Sequence, residues 1–193
     1  MFYLVIIILF VSRFLGHPGE TLYPRKTSSG QEYILWEIND FDMHLRDTLG
    51  GRIQAIESPV MKMGRNYGYN YCILIFPKGI YGEDGNHMSV FVRMMPGEEN
   101  DNLSWPFRGS FIITLVHQSG GASPQNHSRT IQTINNLVTF QQPPDAPTRA
   151  ARSHRQHVWL YGYVKFARTD EVCSHCYRRG GGIKFKVETI PRT

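Results

Sequence analysis

From His87 to Met95 the chain alternates strictly, with Met88, Val90, Val92 and Met94 on one side and His87, Ser89, Phe91 and Arg93 on the other. A period of two is the signature of a β-strand with one face on a core. Pro96-Gly97 ends the run, because Pro offers no N–H to a ladder and Gly admits turn geometry. Upstream, residues 69–76 (YNYCILIF) form a second aromatic and β-branched run, closed by Pro77-Lys78-Gly79. The polar, Gly-containing connector at 82–86 makes the two an antiparallel pair. Phe91 breaks the pattern by standing on the otherwise polar side. It is either covered by a loop or part of a binding surface.

The same punctuation predicts further strands over 32–38 (EYILWEI), 52–56, 110–117 (SFIITLVH), 129–134, 157–166 (HVWLYGYVKF) and 183–189, with short edge pieces at 60–63 and 137–140. Gly162 inside one of them marks a bulge or a close backbone approach. Residues 41–48 read as a short irregular or single-turn segment, 141–155 as a Pro-rich irregular stretch and 167–180 as a polar loop. Short strands with turns between them predict an all-β fold, an eight-stranded antiparallel β-sandwich.

The first twelve residues (MFYLVIIILFVS) are almost wholly apolar. They fall short of the roughly 20 residues that span a bilayer but have the length of a signal-peptide core. Residues 1–16 are therefore expected to be a hydrophobic leader, a signal peptide or an uncleaved anchor. Two alternatives are the lead-in of a truncated gene product and an amphipathic lead-in. The absence of a basic residue before the run and Arg13 at its end weigh against a signal. Residues 17–31, rich in Pro, Gly, Ser and Thr, read as a linker, and 32–190 as the folded domain.

Composition adds three constraints. Aromatic residues at 12%, with 18 Gly and 11 Pro, suit a turn-rich β fold better than a helical bundle. The formal charge of +5 is uneven: residues 148–193 hold ten Lys/Arg against three Asp/Glu. Those charges are scattered as on any solvated face, and no nucleic-acid-binding signature accompanies them, so no nucleic-acid partner is expected. The three cysteines, Cys72, Cys173 and Cys176, are too few for a disulfide framework. Cys72, in an apolar strand, reads as a buried small hydrophobe.

No nucleophile elbow, zincin motif, phosphate-binding loop or dinucleotide fingerprint is present, so no catalytic residues are assigned and no enzymatic activity is expected. Cys173-x-x-Cys176 and His154-x-x-His157 could supply four zinc ligands on paper. The strand between the pairs holds them on the order of 30 Å apart, so neither zinc nor another cofactor is expected. Cys173 and Cys176 form a local disulfide or stay free thiols, according to compartment. Asn102-Leu103-Ser104 and Asn126-His127-Ser128 are candidate N-glycosylation sites if the leader is a signal.

Several stretches resemble a MATH domain, the module shared by meprins and the TNF receptor-associated factors (TRAFs): Trp36-Glu37-Ile38, Tyr67-Gly68-Tyr69 before Cys72, Pro77-Lys78-Gly79, residues 87–91 (HMSVF), 97–107 (GEENDNLSWPF) and 140–143 (FQQP). The likeness runs from about residue 32 to 189, is nearest to the TRAF type over 67–142 and loosens from 145 onward. It implies an eight-stranded sandwich that binds an extended peptide along a sheet edge, with pockets on the neighbouring face. Carried over by the resemblance, the lining would be Leu74, Phe76, Phe91, Ile131, Leu137, Val138 and Thr139. Phe91 and Ile131 stand at positions of pocket aromatics, and Thr139 at one of three groove hydroxyls. Leu74 replaces the family's arginine, Phe76 a tyrosine, and Leu137 and Val138 the other two hydroxyls. The resemblance thus leaves an apolar floor with few polar hooks, to which an acidic peptide would bind weakly. As a pocket wall, Phe91 would tolerate truncation to Ala without unfolding the domain.

The expected function is a non-catalytic adaptor module that binds a protein or peptide, in receptor signalling. The alternative is a secreted or surface module like the non-catalytic part of meprin-like proteins, with a role in assembly. Nothing before residue 32 reads as a RING, a zinc finger or a coiled coil, so neither ubiquitin ligation nor coil-driven trimers are expected of this sequence. Membrane contact would come only through the leader. The expected location is secreted or membrane-anchored, with the cytoplasm as the alternative.

Overall fold

A computed structural model of the chain describes residues 3–7, 20–49, 55–63, 68–80, 85–98, 100–119, 125–132, 140–143 and 158–191. The two alternating runs form strands where their pattern puts them: β6 (Asn70–Phe76) and β7 (His87–Met95), antiparallel, with Leu74 opposite Phe91. Around them lies a six-stranded sheet. Its order is β1 (Tyr3–Ile7), β10 (Val158–Arg168), β7, β6 and β4 (Ile56–Glu57), with β5 (Met61–Lys62) also on β6. The second sheet has the order β2 (Glu20–Lys26), β3 (Glu32–Ile38), β11 (Ile183–Pro191), β8 (Gly109–Leu115) and β9 (His127–Gln132). Every pairing is antiparallel.

The sheets face each other over one core. Tyr71, Ile73, Ile75, Met88, Val90 and Val92 come from the first, and Trp36, Phe111, Ile113, Phe185 and Val187 from the second. These are alternate positions on their strands, as burial of one face requires. The loop before β8 is fixed by its aromatics. Trp105 meets the Tyr69 ring edge-on at 5.0 Å, the Tyr69 hydroxyl donates to the Ser104 carbonyl at 2.5 Å, and Phe107 bridges Phe140.

The sandwich is the predicted one, but eleven strands, not eight, lie among the described residues. Two of the additions fall where no strand was expected. Residues 20–26, read as linker, pair in full with β3. Pro24 misled the pattern: β2 is an edge strand, the one place in a sheet where a missing N–H goes unnoticed. Residues 3–7, read as part of a leader, pair with β10.

Two other segments are more regular than expected. Residues 41–49 form a helix, α1 (Phe41–Leu49), not a single turn. Phe41 and His44 bury one side of it, and Asp42 pairs with Arg178 at 2.9 Å. The expected polar loop from 167 begins instead with the end of β10, followed by the short helix α2 (Thr169–Val172). Of the predicted strand 52–56 only Ile56 belongs to a described strand; 51–54 lie outside the described residues, as do His154 and His157.

Candidate functional site

The outer face of the six-stranded sheet is apolar where a two-layer sandwich would be wet. Cys72, Leu74 and Phe76 occupy alternate positions of β6, and Phe91 that of β7. Leu160 and Val164 of β10 complete a cluster separate from the sandwich core. Ala55, Ile80 and Met95 pack at its margin. The Phe76 and Phe91 rings meet edge to face, 5.8 Å apart and 87° inclined. Phe91 is fully buried.

Gly162 makes this arrangement possible. It sits opposite Phe91 across the β10–β7 ladder. A Cβ there would lie 2.1 Å from the Val90 carbonyl oxygen and 2.9 Å from Cδ1 of Phe91. Without a side chain, β10 closes on β7 and the Phe91 ring lies against its backbone. The expectation of a close approach is met at this residue, and the register slips between Tyr163 and Ala167. The slip returns Phe166 and Ala167 to the sandwich core while Val164 stays outside. Ser89, also on the outer face, donates its hydroxyl to the Val164 carbonyl at 2.5 Å, so its own buried polar group is satisfied.

One ion pair lies at the end of the cluster. Arg93 of β7 is bonded to Glu57 of β4, both largely buried. The Arg93 Nε also donates to the Met95 sulfur at 3.2 Å. The Cys72 thiol donates to Glu57 Oε1 at 3.2 Å. Burial pushes that thiol well above its ordinary range; the Arg93 charge opposes this and the Glu57 charge adds to it.

Of the residues carried over from the resemblance, Leu74, Phe76 and Phe91 are thus brought together. Ile131 is not. It lies opposite Phe111 on β9 and is buried in the core between the sheets. Leu137, Val138 and Thr139 lie outside the described residues. Asn102 and Asn126 are both exposed. Cys173 and Cys176 are free thiols, and burial pushes that of Cys173 up. Among the described residues no group of three or more His, Cys, Asp or Glu is placed to hold a metal ion.

Sequence reasoning read Cys72 as a buried small hydrophobe, which its full burial bears out, but missed its neighbours Leu160 and Val164, although the spacing carried the signal. Cys72 is two positions before Leu74, and Leu160 and Val164 flank Gly162 by two. Glu57 carried none, because its role depends on β4 lying across the sheet from Arg93.

Comparison with known proteins bears on the family and the fold. A family model described as "MATH domain" matches residues 33–189. TNF receptor-associated factor 6 of Rattus norvegicus is 34% identical over 145 residues, which cover 74% of this chain and 27% of that protein. TNF receptor-associated factor 2 of Homo sapiens is 33% identical over 113 residues, or 57% of this chain and 21% of that one. The chain therefore spans only 21–27% of the length of these relatives. A solved structure of Notothenia coriiceps TRAF5 has the same fold, with a TM-score of 0.66 at 21% identity, covering 81% of this chain and 72% of that one.

Proposed function

The chain belongs to the MATH domain family, and on that premise we propose that it is a non-catalytic adaptor module whose partner is an extended protein segment bound along the β10 edge. The TRAF-type MATH domain is a protein-interaction module. The observation that carries the finer reading is the coincidence of two features on one sheet. β10 pairs at positions 158–162 with the five-residue strand β1, and beside that pairing lies the buried apolar cluster of Leu74, Phe76, Phe91, Leu160 and Val164. Backbone groups at an edge supply affinity to any extended chain, and neighbouring side chains select which chain. A role at receptors, as the names of the relatives indicate for them, belongs to the same proposal.

The partner is apolar and not acidic. Leu74 cannot make the two charge-assisted hydrogen bonds with which an arginine holds a carboxylate, each worth about 1.5–3 kcal/mol. An acidic peptide is expected to bind at least ten-fold more weakly than one with alternating apolar residues. Titrating isotope-labelled protein with both peptides, followed by NMR, tests this. The apolar peptide should perturb amides of 158–164, 74–76 and 89–93. Perturbation confined to another edge, such as β2 or β9, or tighter binding of the acidic peptide, would overturn the reading.

A further inference from the structure

The β10 edge is not empty. Residues 3–7 lie on it in register, with Tyr3 opposite Gly162, Leu4 opposite Tyr161, Val5 opposite Leu160, Ile6 opposite Trp159 and Ile7 opposite Val158. Gly162 is in turn opposite Phe91, and Phe91 opposite Leu74. One cross-strand row therefore runs from Leu74 through Phe91 and Gly162 to position 3. Positions 3, 5 and 7 stand directly across the ladder from Gly162, Leu160 and Val158, and Leu160 belongs to the apolar cluster. The five residues, Tyr-Leu-Val-Ile-Ile, carry no charge, no Gly and no Pro, and all but Leu4 are aromatic or β-branched. That is the chemistry selected by a strand-accepting edge beside an apolar floor.

We propose that Tyr3–Ile7 is a built-in ligand: the chain fills its own partner-binding edge, and an external segment of the same class, extended and uncharged with apolar residues at alternate positions, binds by displacing it. This rests on the β10 edge being the partner site. Twelve residues join β1 to β2, enough to reach about 40 Å when extended. A tether of that length gives an effective concentration on the order of 1 mM. A free peptide with a dissociation constant of about 10 μM would then be held off by about 100-fold.

The test is made in the full chain with Val5→Pro/Ile6→Pro. N–H donors alternate in direction along an edge strand, so two adjacent prolines must remove one bond to β10. Val5→Asp, which keeps the backbone donors but places a charge directly across the ladder from Leu160, is the second variant. Two quantities are read: hydrogen exchange of the amides at 158–162, and affinity for a peptide of sequence YLVII flanked by lysines. The proposal expects faster exchange at 158–162 and at least ten-fold tighter peptide binding in the proline variant, with a smaller change in the same direction for Val5→Asp. Unchanged exchange in both variants would overturn the occupancy. Faster exchange with unchanged affinity would overturn the competition. In that event NMR of the proline variant separates the two failures. Peptide perturbation at β10 leaves the partner site standing and removes only the self-ligand. Its absence from β10 removes the partner site as well.

Discussion

Truncating Phe91 to Ala should destabilise the domain before it does anything to binding. The ring is fully buried, although it stands on the face of the sheet that points away from the sandwich core. Removing a buried Phe side chain costs about 3–5 kcal/mol, from lost transfer energy plus the cavity left behind. The upper half of that range applies, because Gly162 directly across the ladder has no side chain to move into the hole. Against a total stability of about 5–15 kcal/mol this is a large fraction. At about 2–4 °C per kcal/mol for a chain of this size, the melting temperature should fall by about 8–20 °C. Thermal unfolding followed by circular dichroism reads it directly. A double-mutant cycle with Phe76→Ala should show coupling of about 0.5–1.5 kcal/mol from the edge-to-face pair alone. A fall of less than about 3 °C with no coupling would mean that the ring faces solvent. Phe91 would then be an open pocket wall, as the resemblance alone implies, and the covered cluster would be refuted.

Gly162→Ala should also destabilise the domain, by about 3 kcal/mol, because the new Cβ would meet backbone atoms of Val90 and Phe91 at 2.1 and 2.7 Å and neither can yield as a side chain would. An unchanged urea midpoint would show that β10 and β7 are not held that close. Cys72 makes stability fall with alkaline pH. Burial raises the pKa of its thiol in the folded state, so its contribution is whole below the ordinary thiol value of about 8.5 and is lost as pH rises above it, when the unfolded chain ionises first. Relative to Cys72→Val, the unmutated protein should lose up to about 1.4 kcal/mol per pH unit between pH 9 and 10, read from melting curves at each pH; parallel curves would place the thiol in solvent.

How far the fold was legible depends on how many structures each stretch is compatible with. β6 and β7 were placed nearly to the residue, because period-two alternation ended by Pro77 and by Pro96-Gly97 has only one physical solution. The stretch at 20–26 was not, because Pro24 forbids a central strand and is neutral in an edge strand, and edge position is a property of the whole sheet. The run at 1–12 is more ambiguous still: uninterrupted apolar sequence suits a signal core, an anchor and a sheet strand alike, and only pairing with β10 distinguishes the last. Helix α1 escaped because two buried positions, Phe41 and His44, are too few to establish a period. Within the site, the resemblance named Leu74, Phe76 and Phe91, which share one face of the sheet. It also named Ile131, but an apolar residue on a half-buried strand can turn either way, and β9 turns it into the core.

The electrostatics of the outer face bear on the class of ligand proposed for it. Its described cation beside the cluster, Arg93, is bonded to Glu57, and Glu57 also accepts from the Cys72 thiol. A carboxylate approaching Arg93 therefore meets a charge already neutralised at contact distance and must also approach Glu57. Exchanging one partner for the other would leave a largely buried charge unpaired, which costs several kcal/mol. With Leu74 in place of a second cation, no arrangement of these side chains repays an acidic ligand for losing its hydration. On the proposed reading an uncharged strand would incur no such cost, since its backbone groups would pair with β10 beside an apolar cluster. Tyr3–Ile7, without a charge in five residues, meets that requirement within the same chain.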